Sequence, residues 1–131
     1  MLIDKEYLDS LISEAKESPR LRMNRNLHES LDSKAQRLFN ALLPGTELPV
    51  HRHMHTAETY ILMTGHITVY FYDDSGNVTK SFELKMSNGN LGVHIPKGQW
   101  HTLTIHEPSV IFEVKDGPYT PLSPQDLLVK Q

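Results

Sequence analysis

The chain of 131 residues contains no cysteine. Disulfides, thiolate metal ligands and a cysteine nucleophile are therefore excluded, and redox chemistry gives no information about the compartment. Long apolar runs are absent too, since none approaches the roughly 18 residues that a membrane-spanning helix needs. The N-terminus lacks the pattern of a signal peptide. We expect a cytoplasmic protein with no membrane partner.

A strong excess of either charge is also missing. The chain has 13 Lys and Arg against 16 Asp and Glu, which gives a formal net charge of −3. Without a basic surface, nucleic acid is not an expected partner. Hydrophobic residues make up 38% and charged residues 22%, which is typical of a globular domain that buries its own core. We predict a single domain over residues 1–131.

One helix is predicted at the start, over residues 2–17. Apolar residues recur at helical spacing from residue 8 to residue 15, which predicts a stripe that packs on the rest of the domain. Asp4 is the predicted N-cap. Pro19 ends the helix, because the residue before a proline avoids helical geometry.

Short strand-like runs separated by turn signals fill the chain up to residue 116. Many short strands at even spacing predict a sandwich or a closed barrel. We therefore predict an all-β domain with its barrel over 37–116 and a tail over 117–131, in which 125–129 forms a helical turn. The predicted strands are 37–43, 47–52, 58–63, 66–72, 78–85, 91–95, 100–106 and 109–115.

Three histidines and a glutamate occur at a spacing typical of a metal site. His51, His53 and Glu58 stand close together, and His101 follows later in the chain. Alternate residues of a strand point to one face, so His51 and His53 can aim two imidazoles at one point. A mixed set of nitrogen and oxygen ligands suits zinc, iron, manganese, nickel or copper rather than calcium or magnesium. We predict one divalent transition metal held by these four residues.

The glycines and prolines around these ligands give the chain its resemblance to the cupins. The first motif is Gly45-x5-His51-x-His53-x4-Glu58-x6-Gly65, and the second contains Pro96-x-Gly98-x2-His101. The second motif departs from the usual pattern at Asn90 and Ile105, neither of which is a ligand. The resemblance implies a double-stranded β-helix, or jelly-roll barrel, whose metal is held by His51, His53, Glu58 and His101.

A narrower resemblance covers most of the chain. Several segments are similar to those of WbuC-type cupin fold metalloproteins, which occur in bacteria, some beside O-antigen polysaccharide genes. The resemblance implies a fold and a metal more than it implies a reaction. The similar segments are Ser18-Pro19-Arg20, Asn26-Leu27-His28, Gln36-Arg37-Leu38, Trp100-His101-Thr102 and Glu113-Val114-Lys115-Asp116-Gly117-Pro118-Tyr119.

A polar face precedes the first barrel strand. If residues 22–28 are extended, Arg22, Asn24, Asn26 and His28 lie on one side. One interpretation is a substrate clamp, in which Arg22 grips a carboxylate or phosphate, the asparagines bind hydroxyls and His28 acts as acid or base. The other interpretation is an edge strand whose polar side faces water. We favour the clamp, because the WbuC-type proteins carry the same Asn-x-His element.

Two further residues complete the candidate site. Tyr60 shares a face with Glu58, so it is a candidate to hydrogen-bond a metal ligand and, with His28, to act in catalysis. His94 is a candidate to line the cavity and bind substrate. We expect His55 to be exposed. Glu113 and Lys115 share a face of their strand, and an ion pair with Arg37 or Arg52 would account for them.

Three functions remain open. The first is a metal-dependent enzyme, such as an isomerase or epimerase, that acts on a sugar, sugar phosphate or sugar acid. The second is an Fe(II)-dependent dioxygenase, and the third is a non-catalytic module that senses a metabolite. If the polar face of residues 22–28 does not converge on the metal, catalysis loses most of its support. We expect a small-molecule ligand and a homodimer, since jelly-roll edges need protection.

Overall fold

The computed structural model describes residues 1–128, so Val129 of the predicted tail turn lies outside the described residues. Within them the chain forms an N-terminal helix, six strands and two short 3₁₀ helices. In chain order they are α1 (Lys5–Glu17), β1 (Arg22–Asn26), β2 (Ala35–Leu42), β3 (Glu58–Tyr72), β4 (Val78–Lys85), the 3₁₀ helix Met86–Asn88, β5 (Gly92–Ile95), β6 (Trp100–Asp116) and the 3₁₀ helix Pro124–Asp126.

Helix α1 begins at Lys5, three residues later than predicted, because Asp4 caps it. The Asp4 side chain accepts a hydrogen bond from the Tyr7 backbone N–H at 2.9 Å, as an N-cap should. The helix ends at Glu17, two residues before Pro19. No helix among residues 1–128 is both long and apolar enough to cross a bilayer.

The strands pair antiparallel in the order β1-β2-β6-β3-β4, with β5 pairing to the first part of β3. The long strands β3 and β6 run beside each other from Glu58 opposite Lys115 to Tyr72 opposite Trp100. The first part of β3 also pairs with β5, and its later part pairs with β4.

Several predicted boundaries were wrong. The predicted strands 58–63 and 66–72 are one strand, β3, and the predicted strands 100–106 and 109–115 are one strand, β6. The predicted strand 47–52 forms no regular strand and contributes two isolated bridges, both at His51, to His101 and to Leu127. The predicted helical turn over 125–129 is shorter and begins one residue earlier, as the 3₁₀ helix Pro124–Asp126, and Leu127 after it forms a bridge.

The two halves of β3 join at Gly65 without a break in the strand. Gly65 has a φ of +104°, and the pairing with β6 shifts register around it. Ser109 packs so tightly there that its side chain and Cα would overlap a Cβ on Gly65. The Ser109 hydroxyl accepts a hydrogen bond from the His66 backbone N–H at 2.9 Å. A bulge of this kind bends a strand rather than ending it.

Two apolar clusters lie on opposite faces of the sheet. The inner cluster holds side chains from β2 to β6, among them Leu62, Ile67 and Ile111. The outer cluster packs α1 against β2 and β6, with Leu11 and Phe39 each 1% exposed. The side chains of one sheet face therefore enclose a core of their own, while the helix covers part of the other face.

Replacing Gly65 with Ala should destabilise the fold by about 3 kcal/mol or more, because the substitution adds both a positive-φ penalty and an overlap with Ser109. The matched control is Gly89→Ala, where φ is +78° but no heavy atom lies within 4 Å of the added Cβ. That control should cost only about 1 kcal/mol. Urea unfolding measures both, and equal losses would contradict the close packing at Gly65.

Candidate metal centre

The backbone brings the four predicted ligands together. His51 and His101 exchange two backbone hydrogen bonds, of 3.0 Å from the His51 N–H and 2.9 Å from the His101 N–H. Glu58 opens β3, and His101 is the second residue of β6. His53 lies in the loop between His51 and β3. Three separate pieces of backbone therefore converge, although Glu58 and His101 lie at opposite ends of the ladder between β3 and β6.

One ligand atom from each of the four residues lies within 4.8 Å of the other three. Glu58 Oε1 is 2.5 Å from His53 Nε2 and 3.8 Å from His101 Nε2. Glu58 is 2% exposed and His101 1% exposed. Among the described residues Glu58 Oε1 is buried yet has no aligned hydrogen-bond donor. A buried carboxylate oxygen without a donor, facing imidazole nitrogens, fits a metal ion.

Backbone carbonyls fix the orientation of two imidazoles. His51 Nδ1 lies 3.0 Å from the Pro49 carbonyl oxygen, and His101 Nδ1 lies 2.9 Å from the Gln99 carbonyl oxygen. A carbonyl only accepts, so each Nδ1 must carry the proton and donate it. Both rings are thereby left with an unprotonated Nε2, which is the atom that binds a metal.

The protonation states of the ligands also suit a cation. Burial lowers the pKa of His51, and burial together with the neighbouring His51 lowers the pKa of His101 to about 4. Burial opposes ionisation of Glu58, but the contact with His53 and the charges of His53, His101 and Lys115 prevail and lower its pKa to about 2. These three ligands are therefore ready to bind a cation at neutral pH without first losing a proton.

Tyr60 lies beside the ligands, as predicted. Its hydroxyl is 3.5 Å from His101 Nε2, and the residue is 4% exposed. Burial, followed by the charges of Glu58 and Glu113, raises the pKa of Tyr60 well above its usual value. The phenol therefore keeps its proton and remains a hydrogen-bond donor next to the metal centre.

The predicted clamp is not joined to the metal centre by any hydrogen bond or ring contact among residues 1–128. Arg22 instead donates to the Glu47 carbonyl at 3.1 Å and lies 3.3 Å from the Thr46 hydroxyl. Asn24 and Asn26 are exposed on the edge strand β1. His28 is 7% exposed, and its Nδ1 accepts from the Arg37 N–H at 3.1 Å. Arg22 and His28 thus hold loops and strands in place.

His94 is not brought to the centre either. It is exposed, and its Nδ1 lies 3.0 Å from the Thr59 hydroxyl. Thr59 and His94 are cross-strand partners, so they share the sheet face opposite to Glu58. His94 therefore lies away from Glu58, and it does not line the cavity beside His53. His55 is exposed, as predicted.

A row of polar side chains inside the sheet had not been identified from the sequence as part of the site. Glu113 is the cross-strand partner of Tyr60 and is 7% exposed. The Asn40 amide donates to its carboxyl at 3.0 Å, while Asn40 Oδ1 is buried without a described partner. The predicted ion pair of Glu113 with Arg37 or Arg52 is not formed among residues 1–128. Arg52 Nε instead lies 3.8 Å from Asp126, and its guanidinium stacks on Trp100.

A cavity of about 340 Å³ opens beside the ligand His53. The loop after His53 forms one wall, and the end of β6 at Lys115 forms another. Residues of the tail between Gly117 and Asp126 cover it. The volume lies within the range of small-molecule sites in proteins, which runs from about 300 to 1,000 Å³.

Comparison with solved structures identifies the fold. The structure of TT1209 from Thermus thermophilus is similar with a TM-score of 0.62 and 20% identity, covering 88% of this chain and 97% of that one. A cupin-2 domain containing protein from Shewanella frigidimarina gives a TM-score of 0.56 and 22% identity over 72% of this chain and 80% of that one. The Cnp3 cupin domain of Schizosaccharomyces pombe gives a TM-score of 0.58 and 14% identity over 72% of this chain.

The chain spans 64% of the length of that Cnp3 domain. These likenesses define the class: the protein has the all-β cupin fold with an N-terminal helix, as predicted. The chain belongs to the family described as "Domain of unknown function (DUF6016)", which matches residues 3–84. That match includes His51, His53 and Glu58 and ends before His101. No curated protein matches the chain.

Replacing Glu113 with Gln should remove a pH-dependent loss of stability from the metal-free protein. Burial, followed by the charge of Glu58, raises the pKa of Glu113 from 4.5 to about 7. A raised carboxyl pKa means that the folded state retains a proton which the unfolded chain releases, so this contribution to stability falls between those two values as pH rises.

The free energy of unfolding of Glu113→Gln, relative to that of the wild type, should therefore rise by on the order of 2 kcal/mol from about pH 5 to about pH 8. Urea unfolding at both pH values measures the difference. Glu107→Gln, an exposed position on the same strand, serves as the control and should show no such gain. A pH-independent difference between wild type and Glu113→Gln would contradict the raised pKa.

Proposed function

We propose that this protein is a metal-dependent enzyme that acts on a small polar molecule of the sugar class. The observation that carries the proposal is the convergence of three imidazoles and one carboxylate within 4.8 Å, beside a cavity of about 340 Å³. Four protein ligands need not fill a five- or six-coordinate ion, so a substrate oxygen or water has room to bind. Elemental analysis determines which metal is bound, among zinc, iron, manganese and nickel.

The chemistry follows from the charges and protons around this point. A bound divalent ion would supply a Lewis acid that polarises a carbonyl or hydroxyl of the substrate. Tyr60 holds a proton close to His101, from where its hydroxyl can donate to a substrate oxygen. Glu113, opposite Tyr60 in the sheet, supplies a buried carboxyl that can hold or release a proton.

These two residues replace the predicted acid–base role of His28. The failure of the clamp to contact the ligands favours the alternative of a non-catalytic sensing cupin, by the criterion that an acid–base group must stand near the metal. Tyr60 and Glu113 meet that criterion instead, and this is why we retain an enzyme as the first proposal. An Fe(II)-dependent dioxygenase is the second enzymatic proposal, because three histidines and a glutamate suit ferrous iron.

The resemblance to WbuC-type cupins supports a narrower proposal, in which the substrate comes from bacterial surface polysaccharide synthesis such as that of O-antigen. Cytoplasmic location and a homodimer remain predictions. For the dimer, β1 and β4 stand at the two ends of the described strand order and are the edges that a second copy would pair with.

Elemental analysis of protein purified without added metal tests the metal centre. We expect close to one transition-metal ion per chain in the wild type. His101→Gln and Glu58→Gln should each weaken metal binding by more than about 100-fold, because each removes a buried ligand. His55→Gln is the matched control, since it alters an exposed histidine two positions from His53 and should leave the metal content unchanged.

Three results of the metal measurement and its variants are decisive. Wild-type metal content in His101→Gln would rule out the proposed centre. Zinc as the resident metal would exclude the dioxygenase, whereas iron together with oxygen uptake would support it. A fully loaded protein whose Tyr60→Phe and Glu113→Gln variants bind ligands as the wild type does, without turnover in any form, would favour the sensing cupin.

A further inference from the structure

Lys115 brings a positive charge to the metal centre from β6. It is the cross-strand partner of Glu58, and such partners present their side chains on the same face of a sheet. Burial is the largest influence on the pKa values of His51, Glu58 and Glu113, and the charge of Lys115 is a further influence that lowers all three. Lys115 therefore adds a positive charge on the face of the sheet that carries Glu58.

Lys115 has no counter-ion within the described part of the chain. Its side chain is half-buried, and it forms no ion pair or hydrogen bond with residues 1–128. The carboxyl on the same face of the same strand, Glu113, is engaged by Asn40. A partly desolvated cation without a partner is unfavourable, and a bound anion would relieve that cost.

The metal ion would add to this unbalanced charge. A divalent ion held by one carboxylate and three neutral imidazoles keeps one positive charge, and Lys115 places a second beside it. Two like charges at close range in a half-buried site repel each other. A ligand with an anionic group that reaches both would convert this repulsion into two attractions.

The cavity beside His53 joins these two charges. Both His53 and Lys115 line it, so one molecule can touch the metal centre with one end and the ammonium group with the other. Two acidic side chains also line the cavity, Asp116 and Asp126. Asp116 is exposed at the end of β6, and Asp126 is already engaged by other groups. It accepts hydrogen bonds from the Ser123 backbone and hydroxyl, and it faces Arg52 at 3.8 Å.

We propose that Lys115 is the residue that selects the substrate, by binding the acid group of a small hydroxylated acid whose oxygen reaches the metal. The acid group is a carboxylate or a phosphate, since both present oxygens to an ammonium donor. This inference rests on the proposed function and narrows it from sugars in general to their acidic derivatives. It moves the anion-binding role from the predicted residue Arg22 to Lys115.

The test uses the full chain loaded with Co²⁺, whose visible spectrum reports ligands that enter the coordination sphere. Gluconate, glucose phosphate and neutral glucose are titrated into the wild type, Lys115→Gln, Lys115→Arg and the exposed control Lys80→Gln. We expect both acids or one of them to bind more tightly than glucose. Lys115→Gln should weaken acid binding by about 10- to 100-fold and leave glucose unchanged, because it removes one charged hydrogen bond.

The remaining outcomes separate the alternatives. Lys115→Arg should recover part of the affinity, and Lys80→Gln should match the wild type. A preference for gluconate or for glucose phosphate identifies the acid group. Equal acid affinities in the wild type and Lys115→Gln, or no acid binding to the wild type in the millimolar range, would overturn the role of Lys115.

Cobalt stoichiometry, measured in every variant, separates this proposal from the one it rests on. If each chain binds one Co²⁺ and the acid affinity does not change in Lys115→Gln, the proposed substrate class is overturned and the metal centre is not. Failure of the wild type to hold Co²⁺ overturns the proposed function itself. Thermal unfolding of each variant shows whether a loss of binding is a loss of fold. If Lys115→Gln does not fold, Lys115→Met takes its place, because it keeps the apolar stem of the side chain and removes the charge. A selective loss of acid binding in Lys115→Met, with glucose binding unchanged, supports the role of Lys115, and acid binding at wild-type affinity contradicts it.

Discussion

The short backbone bridge between His51 and His101 is the interaction on which the candidate site depends. Its two hydrogen bonds tie a loop with no regular structure to the start of β6. They place two imidazole rings 4.3 Å apart, and the carbonyls of Pro49 and Gln99 then decide which nitrogen of each ring is free. Side-chain chemistry at this centre is therefore set by main-chain geometry, which explains how ligands from distant parts of the chain share one point.

The ligands could be predicted from the sequence, because their identity is encoded in local spacing. Three of the four stand within eight positions of one another, between Gly45 and Gly65, which both have positive φ. The polar row behind them could not be predicted in this way. The Asn40–Glu113 hydrogen bond joins residues 73 positions apart, and only the register of β2 against β6 brings them together. The alternating pattern of β2 or of β6 does not predict which strand will pair with it.

The errors in the fold and in the clamp have the same origin. Thr64-Gly65 and Glu107-Pro108 have the composition of turns, yet both lie inside continuous strands, because pairing along the rest of β3 and β6 outweighs a local bulge. In the same way, the extended geometry of residues 22–26 was predicted correctly, but the partners of Arg22 and His28 are backbone groups of nearby loops and strands. Local pattern determines which way a side chain faces, whereas tertiary pairing determines what it meets.

The tail that covers the cavity is attached to the body mainly through its backbone. The Tyr119 N–H donates to the Leu31 carbonyl at 2.7 Å, and the Arg52 N–H donates to the Asp126 carbonyl at 3.0 Å. Main-chain anchors of this kind tolerate changes of side chain between them, while the metal ligands reside on other segments. Evolution can therefore change the side chains of the tail that covers the cavity, to suit a different ligand, without changing the residues that bind the metal.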